Sequence, residues 1–146
     1  MSAAHGAEIM KIFNYYIENS FAAYPEQALP QQFFGKLLEM TQGYPAYAIR
    51  ADNRIVGFCS LRAYSPFSTF RECADISYFI HKDYSRMGIG KQALDKHESD
   101  ARQKGIRTIL ASIASENPKS IAFHNKHGFK ECGRFEKAVR KKDMVY

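Results

Sequence analysis

No run of apolar residues in this chain is long enough to span a bilayer, and no charged-then-apolar leader opens it. Membrane insertion and secretion are therefore not expected. Cysteine is scarce: Cys59, Cys73 and Cys132 are odd in number, far apart and without a CxxC pair. That spacing argues against a zinc site and against a disulfide framework, and reads as reduced thiols in the cytoplasm. Internal repeats, low-complexity tracts and linkers are missing as well, so residues 1–146 read as a single domain with room for a proper core. The hydrophobic share of 45% and charged share of 25% are those of an ordinary globular protein. A net charge of +6 favours anionic partners, but the basic residues are scattered. Only Lys130–Lys142 is dense in them, and Glu131, Glu136 and Asp143 dilute it. That tail reads as a solvated face, with neither nucleic acid nor membrane as its partner.

The informative stretch is Ile80–Ala93, IHKDYSRMGIGKQA. An apolar run from Ala74 to Ile80 stops at His81-Lys82-Asp83, and a helical pattern starts just after Gly88 and Gly90. A strand that feeds a helix through such a turn presents unpaired amides and the positive end of the helix dipole, which suits a phosphate or diphosphate. The two glycines leave the backbone open to a ligand, while Arg86 and Lys91 add cationic charge. A plain tight turn before an amphipathic helix fits the same residues. The spacing is not that of a Walker A loop, and the third glycine of a dinucleotide-binding turn is absent.

Periodicity supplies the rest of the order. Ala7–Ser20 reads as a helix, Phe21–Pro25 as an aromatic loop, and Pro30–Thr41 as a second helix with proline at its first position. Ala46–Arg50 and Ile55–Tyr64 read as a hairpin closed by Ala51-Asp52-Asn53, with Gly57 marking a bulge or a close backbone approach. Cys73–Ile80 is a third strand. The helix Ile89–Lys104 carries Ile89, Ala93, His97 and Ala101 on one stripe and ends at Gly105. Thr108–Ser112 is a strand at a distance that allows a parallel crossover. Asn117 and Pro118 open a last helix that runs to His127, and Phe129–Phe135 and Asp143–Tyr146 read as strands. The sum is an α/β chain: a mixed sheet with helices on both faces.

This order, the RMGIG turn and the segment NPKSIAFHNKHGF together resemble the GNAT-type N-acetyltransferases. Within them the chain is most similar to the phosphinothricin acetyltransferase branch, through YPEQ, QGYPAYAI, RIVGFCSL, FRECADISYFIHKDYSRMGIGKQAL and the later CGR. The resemblance implies a GNAT-type mixed, twisted sheet whose central strands splay to admit acetyl-CoA. The family's first strand would be missing or very short here, and its last one cut short. It also implies direct acetyl transfer to a small, amino-acid-like amine, no metal, and a homodimer.

By position, the resemblance places the diphosphate on the main chain of Ser85, Arg86, Met87, Gly88, Ile89, Gly90 and Lys91. Ser85 stands where the family pattern has glutamine or arginine. Phe79 and Ile80 would meet the thioester and its oxyanion, and Asn117 and Ser120 the pantetheine arm; helix capping is the other use for the latter two. Asp75 falls where the branch has a glutamate and would act as general base, with pairing to Arg62 or Arg71 as its plainer explanation. His124 would protonate the departing thiolate, or simply sit at the edge of the core. Arg71, Phe21 and Tyr24 would face the amine substrate, the two aromatics serving otherwise as core plugs. Cys73, without a matched base, is not a nucleophile. Two rival readings remain at this stage: a CoA-binding sensor or interaction module that has lost catalysis, suggested by Ser85 and the short ends, and a nucleic-acid-binding domain, suggested by charge alone.

Overall fold

The computed structural model describes residues 1–146. The chain divides into two compact units, one of Met1–Ile12 with Pro30–Ala111 and one of Phe13–Leu29 with Ser112–Tyr146. The first holds a four-stranded mixed sheet in the order β1 (Ala46–Ala51), β2 (Arg54–Ala63), β3 (Cys73–Ile80) and β4 (Thr108–Leu110). Helices flank the sheet, as expected.

β1 and β2 form the expected hairpin, Ala51 opposite Arg54. Asp52 and Asn53, between them, both have positive φ, which gives the turn the twist a two-residue hairpin needs. Gly57 fulfils both readings made for it. The register slips between Ile49 and Arg50, opposite Gly57 and Ile55. A Cβ on Gly57 would stand 2.6 Å from the Phe79 carbonyl oxygen, so only glycine lets β3 lie this close to β2. β2 is buried from Val56 to Leu61, Ser60 included.

β3 pairs antiparallel with β2 along its length and parallel with β4. The crossover between β3 and β4 carries α3 (Ile89–Gln103), which packs on β2 and β3 through Ala93, Leu94, His97 and Ala101. The helix stripe read from the sequence is thus present, with Leu94 added. Helix α2 (Phe33–Met40) starts three residues later than expected. Pro30 opens a turn instead, its carbonyl accepting from the Phe33 amide at 2.9 Å.

Helix α1 (Gly6–Asn19) runs from the first unit into the second. The second unit also holds α4 (Pro118–Lys126) and a small hairpin, β5 (Arg140–Lys141) with β6 (Met144–Val145). No strand forms over Phe129–Phe135. Lys130–Phe135 is exposed throughout, Phe135 at 89%, so the apparent alternation had no core to face. Lys141 departs furthest from the solvated tail expected of it, for it is wholly buried. No helix is long and apolar enough to cross a membrane.

His97 is more enclosed than its stripe suggested. It has no solvent exposure, and its ring lies 5.6 Å from that of Tyr47. Neither ring nitrogen has a hydrogen-bond partner; the Cys59 main chain is near but out of bonding geometry. Burial pushes its pKa down to about 4, against the pull of Asp100, whose carboxylate is itself held by Lys96 and the Tyr47 hydroxyl. The unfolded chain takes this proton near pH 6.5, the folded chain only near 4. Stability is therefore full above pH 6.5 and falls between 6.5 and 4, by on the order of 3 kcal/mol. Calorimetric melting across that range should show the decline, and His97→Leu should flatten it. An equally steep decline in the variant would show that other groups cause it.

Candidate functional site

The site is built on β3 and the turn that follows it. Asp75 lies on the half-buried face of the strand with Cys73, Ser77 and Phe79, while Ala74 and Ile76 point into the core. Its register partner across the antiparallel pair is Arg62, and Nε of Arg62 sits 3.6 Å from Oδ2. The plainer explanation for an acid in this strand thus has a partner in place. Even so, burial raises the Asp75 pKa, and the opposing pull of Arg62 does not cancel that. The result is a carboxylate more basic than usual. Arg71 does not join the pair: its side chain donates to the Ser68 carbonyl at 3.3 Å. Burial, with Asp75 adding to it, raises the Cys73 thiol pKa, which suits a packed thiol rather than a nucleophile.

The parallel ladder between β3 and β4 is three rungs long: Cys73 with Thr108, Ala74 with Ile109, Asp75 with Leu110. β4 ends there, while β3 runs on for five more residues. The strands part after Asp75. Phe79, farther along, stacks on Phe58 at 5.4 Å between centroids.

Past β3, His81 Nδ1 accepts from the Asp83 amide at 3.2 Å and starts a single 3₁₀ turn. Ser85 is tied into it, its hydroxyl donating to the Lys82 carbonyl at 3.0 Å. Gly88 then takes φ +76, the left-handed conformation that caps α3. The first helical bond closes from the Gln92 amide to the Gly88 carbonyl at 3.2 Å. The amides of Gly88, Ile89, Gly90 and Lys91 come before it and take no internal partner, as does Arg86. Met87 departs from the expected set, because its amide reaches the Tyr84 carbonyl at 3.4 Å. The Lys91 ammonium is drawn to Asp95 one turn on. The donors at this helix start are therefore chiefly main-chain ones. An anion's negative charge and its oxygens fit them, which is the test a diphosphate has to pass.

In the second unit, Asn117 caps α4, its side-chain oxygen accepting from the Ser120 amide at 3.3 Å. This leaves the amide nitrogen of the side chain for any other role. His124 is buried, edge-on to Phe123 and to Phe129. Its Nδ1 lies 2.7 Å from the Ser120 carbonyl and so carries the proton in the neutral ring. Burial lowers its pKa despite that bond, which keeps the ring mostly neutral at pH 7. Phe21 packs edge-on to Tyr146, and the Tyr24 hydroxyl donates to the Ser112 carbonyl at 3.4 Å. The sequence reading missed Lys141 altogether, since a lysine in a basic tail gives no sign of burial.

Known proteins agree with this architecture. The family model described as "Acetyltransferase (GNAT) family" matches residues 9–129. An L-methionine sulfoximine/L-methionine sulfone acetyltransferase of Pseudomonas paraeruginosa is 29% identical over 138 residues, 91% of this chain and 79% of its own. A ribosomal-protein-alanine N-acetyltransferase from Brucella melitensis superposes with a TM-score of 0.92 at 26% identity, covering 99% of this chain and 91% of that one. A phosphinothricin acetyltransferase from Sinorhizobium meliloti, solved with acetyl-CoA, gives 0.92 at 24%, with 99% and 80% covered. The turn amides, the parting strands and these matches lead to one conclusion: the chain belongs to the GNAT family of acetyltransferases and takes its acetyl group from acetyl-CoA.

Proposed function

We propose that the protein acetylates the amine of a small, amino-acid-like substrate by direct attack on acetyl-CoA. The observation that carries the reading is the end of the β3–β4 ladder at Asp75, with unbonded amides of Gly88–Lys91 at the far end of the same strand–turn–helix segment. Relatives named for methionine sulfoximine and phosphinothricin support the substrate class.

In this reading the main-chain amides of Arg86 and Gly88–Lys91 hold the diphosphate, with Ser85 and Met87 shaping the turn. The pantetheine arm lies along β3 beyond Asp75, where its amides pair like an added strand, with Asn117 and Ser120 as further polar contacts. Asp75 takes a proton from the substrate ammonium, directly or through a water. The freed amine attacks the thioester carbonyl, and a main-chain N–H near Ile80 stabilises the oxyanion, since that of Phe79 faces Phe58 in the β2 ladder. The carbon–sulfur bond breaks and the thiolate leaves. With a thiol pKa of about 8.5 it departs without strict need of an acid. The attacking nitrogen sheds its second proton as the thiolate leaves, and the thiolate takes it up, with His124 as the carrier between them. Arg71 pairs with a substrate carboxylate, and Phe21 and Tyr24 shape the amine pocket.

The same reading makes the protein a cytoplasmic homodimer. Free thiols at Cys59, Cys73 and Cys132 support a reducing compartment. Exposed Tyr64, Phe67 and Phe70 on one loop support burial against a second copy. Light scattering should give twice the chain mass, and a monomer at all concentrations would remove the dimer.

An acetyl-CoA turnover screen over amino acids and their analogues tests the chemistry. Asp75→Asn should lower kcat by about a hundredfold or more with little change in acetyl-CoA KM. The acid limb of the wild-type pH profile, set by protonation of Asp75 above the ordinary carboxylate range, should vanish in the variant. Full activity in Asp75→Asn would take that residue out of the mechanism. Gly88→Val forces a β-branched residue to positive φ and should raise acetyl-CoA KM about tenfold. An unchanged acetyl-CoA KM would mean that the turn does not hold the cosubstrate.

A further inference from the structure

Lys141 is the largest side chain in the molecule that is fully buried. A buried lysine without acceptors is strongly disfavoured, so what it touches should matter. No carboxylate pairs with it at ion-pair distance. Its Nζ donates to two main-chain carbonyls instead, Ser20 at 2.9 Å and Ala23. Burial lowers its pKa, and the neighbouring Lys142 adds to this.

Both carbonyls belong to the bend that leaves α1. The Ser20 amide still follows the helix, bonding to the Tyr16 carbonyl at 3.1 Å. The Ser20 hydroxyl then accepts from the Ala22 amide at 3.1 Å, and Ala23 is almost completely buried. A cation at this place offsets the negative end of the α1 dipole. It also ties two carbonyls three residues apart to one point, which sets the course of the chain through Phe21 and Tyr24. The ammonium is itself held firmly. Lys141 pairs with Met144 in a hairpin whose turn residues, Lys142 and Asp143, both have positive φ. The pairing continues through mutual bonds of Val139 and Tyr146 at 2.8 and 2.9 Å. From this hairpin Tyr146 meets the Phe21 ring edge-on at 5.3 Å, and the Lys142 ammonium stands over that ring at 5.5 Å.

We propose that Lys141 is a positioning residue for the amine site: through the Ser20 and Ala23 carbonyls it fixes the bend that presents Phe21 and Tyr24 to the acceptor substrate. The inference rests on the proposed role of Phe21 and Tyr24 as substrate contacts. It predicts a selective defect, because nothing in this contact bears on the turn at Gly88.

Steady-state kinetics with both substrates varied provide the test. Lys141→Met should raise the amine KM about tenfold, with acetyl-CoA KM within about twofold of wild type. Hydrogen exchange at the Ala22 amide should quicken in the same variant. Lys141→Arg, which keeps a cation and several donors, should recover much of the amine affinity. If Lys141→Met does not fold, Lys141→Gln, which keeps donors but no charge, should show the same split in weaker form. An unchanged amine KM, or equal rises in both KM values, would overturn the proposal. Absence of wild-type turnover with every amine would instead overturn the functional reading on which it stands.

Discussion

Everything in the first unit turns on where one hydrogen-bond ladder stops. β3 and β4 share three rungs and then part at Asp75. Beyond that point β3 keeps its antiparallel pairing with β2 and has no strand on its other side. The early end of β4 leaves that stretch of β3 as an edge. Such an edge is tolerable when a guest rich in amides completes it, and the pantetheine arm of acetyl-CoA is a guest of that kind. The helix start that follows offers its donors to the guest's anionic end.

Side chains contribute less charge to this arrangement than the sequence suggested. Lys91 turns to Asp95. What is left for an anion is Arg86 and the backbone, whose donors are fixed in space and cannot titrate. The acid is tuned by opposing influences: burial makes Asp75 a better base, and Arg62 pulls its pKa the other way. His124 shows the other side of the same physics. Its enclosure by aromatic rings makes the neutral ring the resting form.

How much of this was legible in the sequence depended on whether the signal was local. The hairpin turn at Asp52-Asn53, the glycine at 57, the α3 stripe and the capped start of α4 each arise within a few residues, and each was read correctly. That central strands part followed from resemblance. The Phe129–Phe135 strand was misread because alternation specifies a strand only when a core lies on one side, and burial is not local. Pro30 was placed inside α2 when it sits in the turn before it, a boundary that propensity alone does not resolve. The Asp75–Arg62 pair was foreseen as one option, because strands in a hairpin meander must bring some such residues opposite. Lys141 was missed because its partners are carbonyls 118 and 121 residues away, and carbonyls have no sequence signature.

Gly57 carries a consequence for how freely such a chain can drift. Gly35 and Gly133 have open space around them and ordinary backbone angles, so mutation can replace them at small cost. At 57 even one added methyl group would press on the carbonyl of Phe79, in the strand that borders the acetyl donor. Lineages that lose this glycine must therefore move that strand, and the donor groove with it.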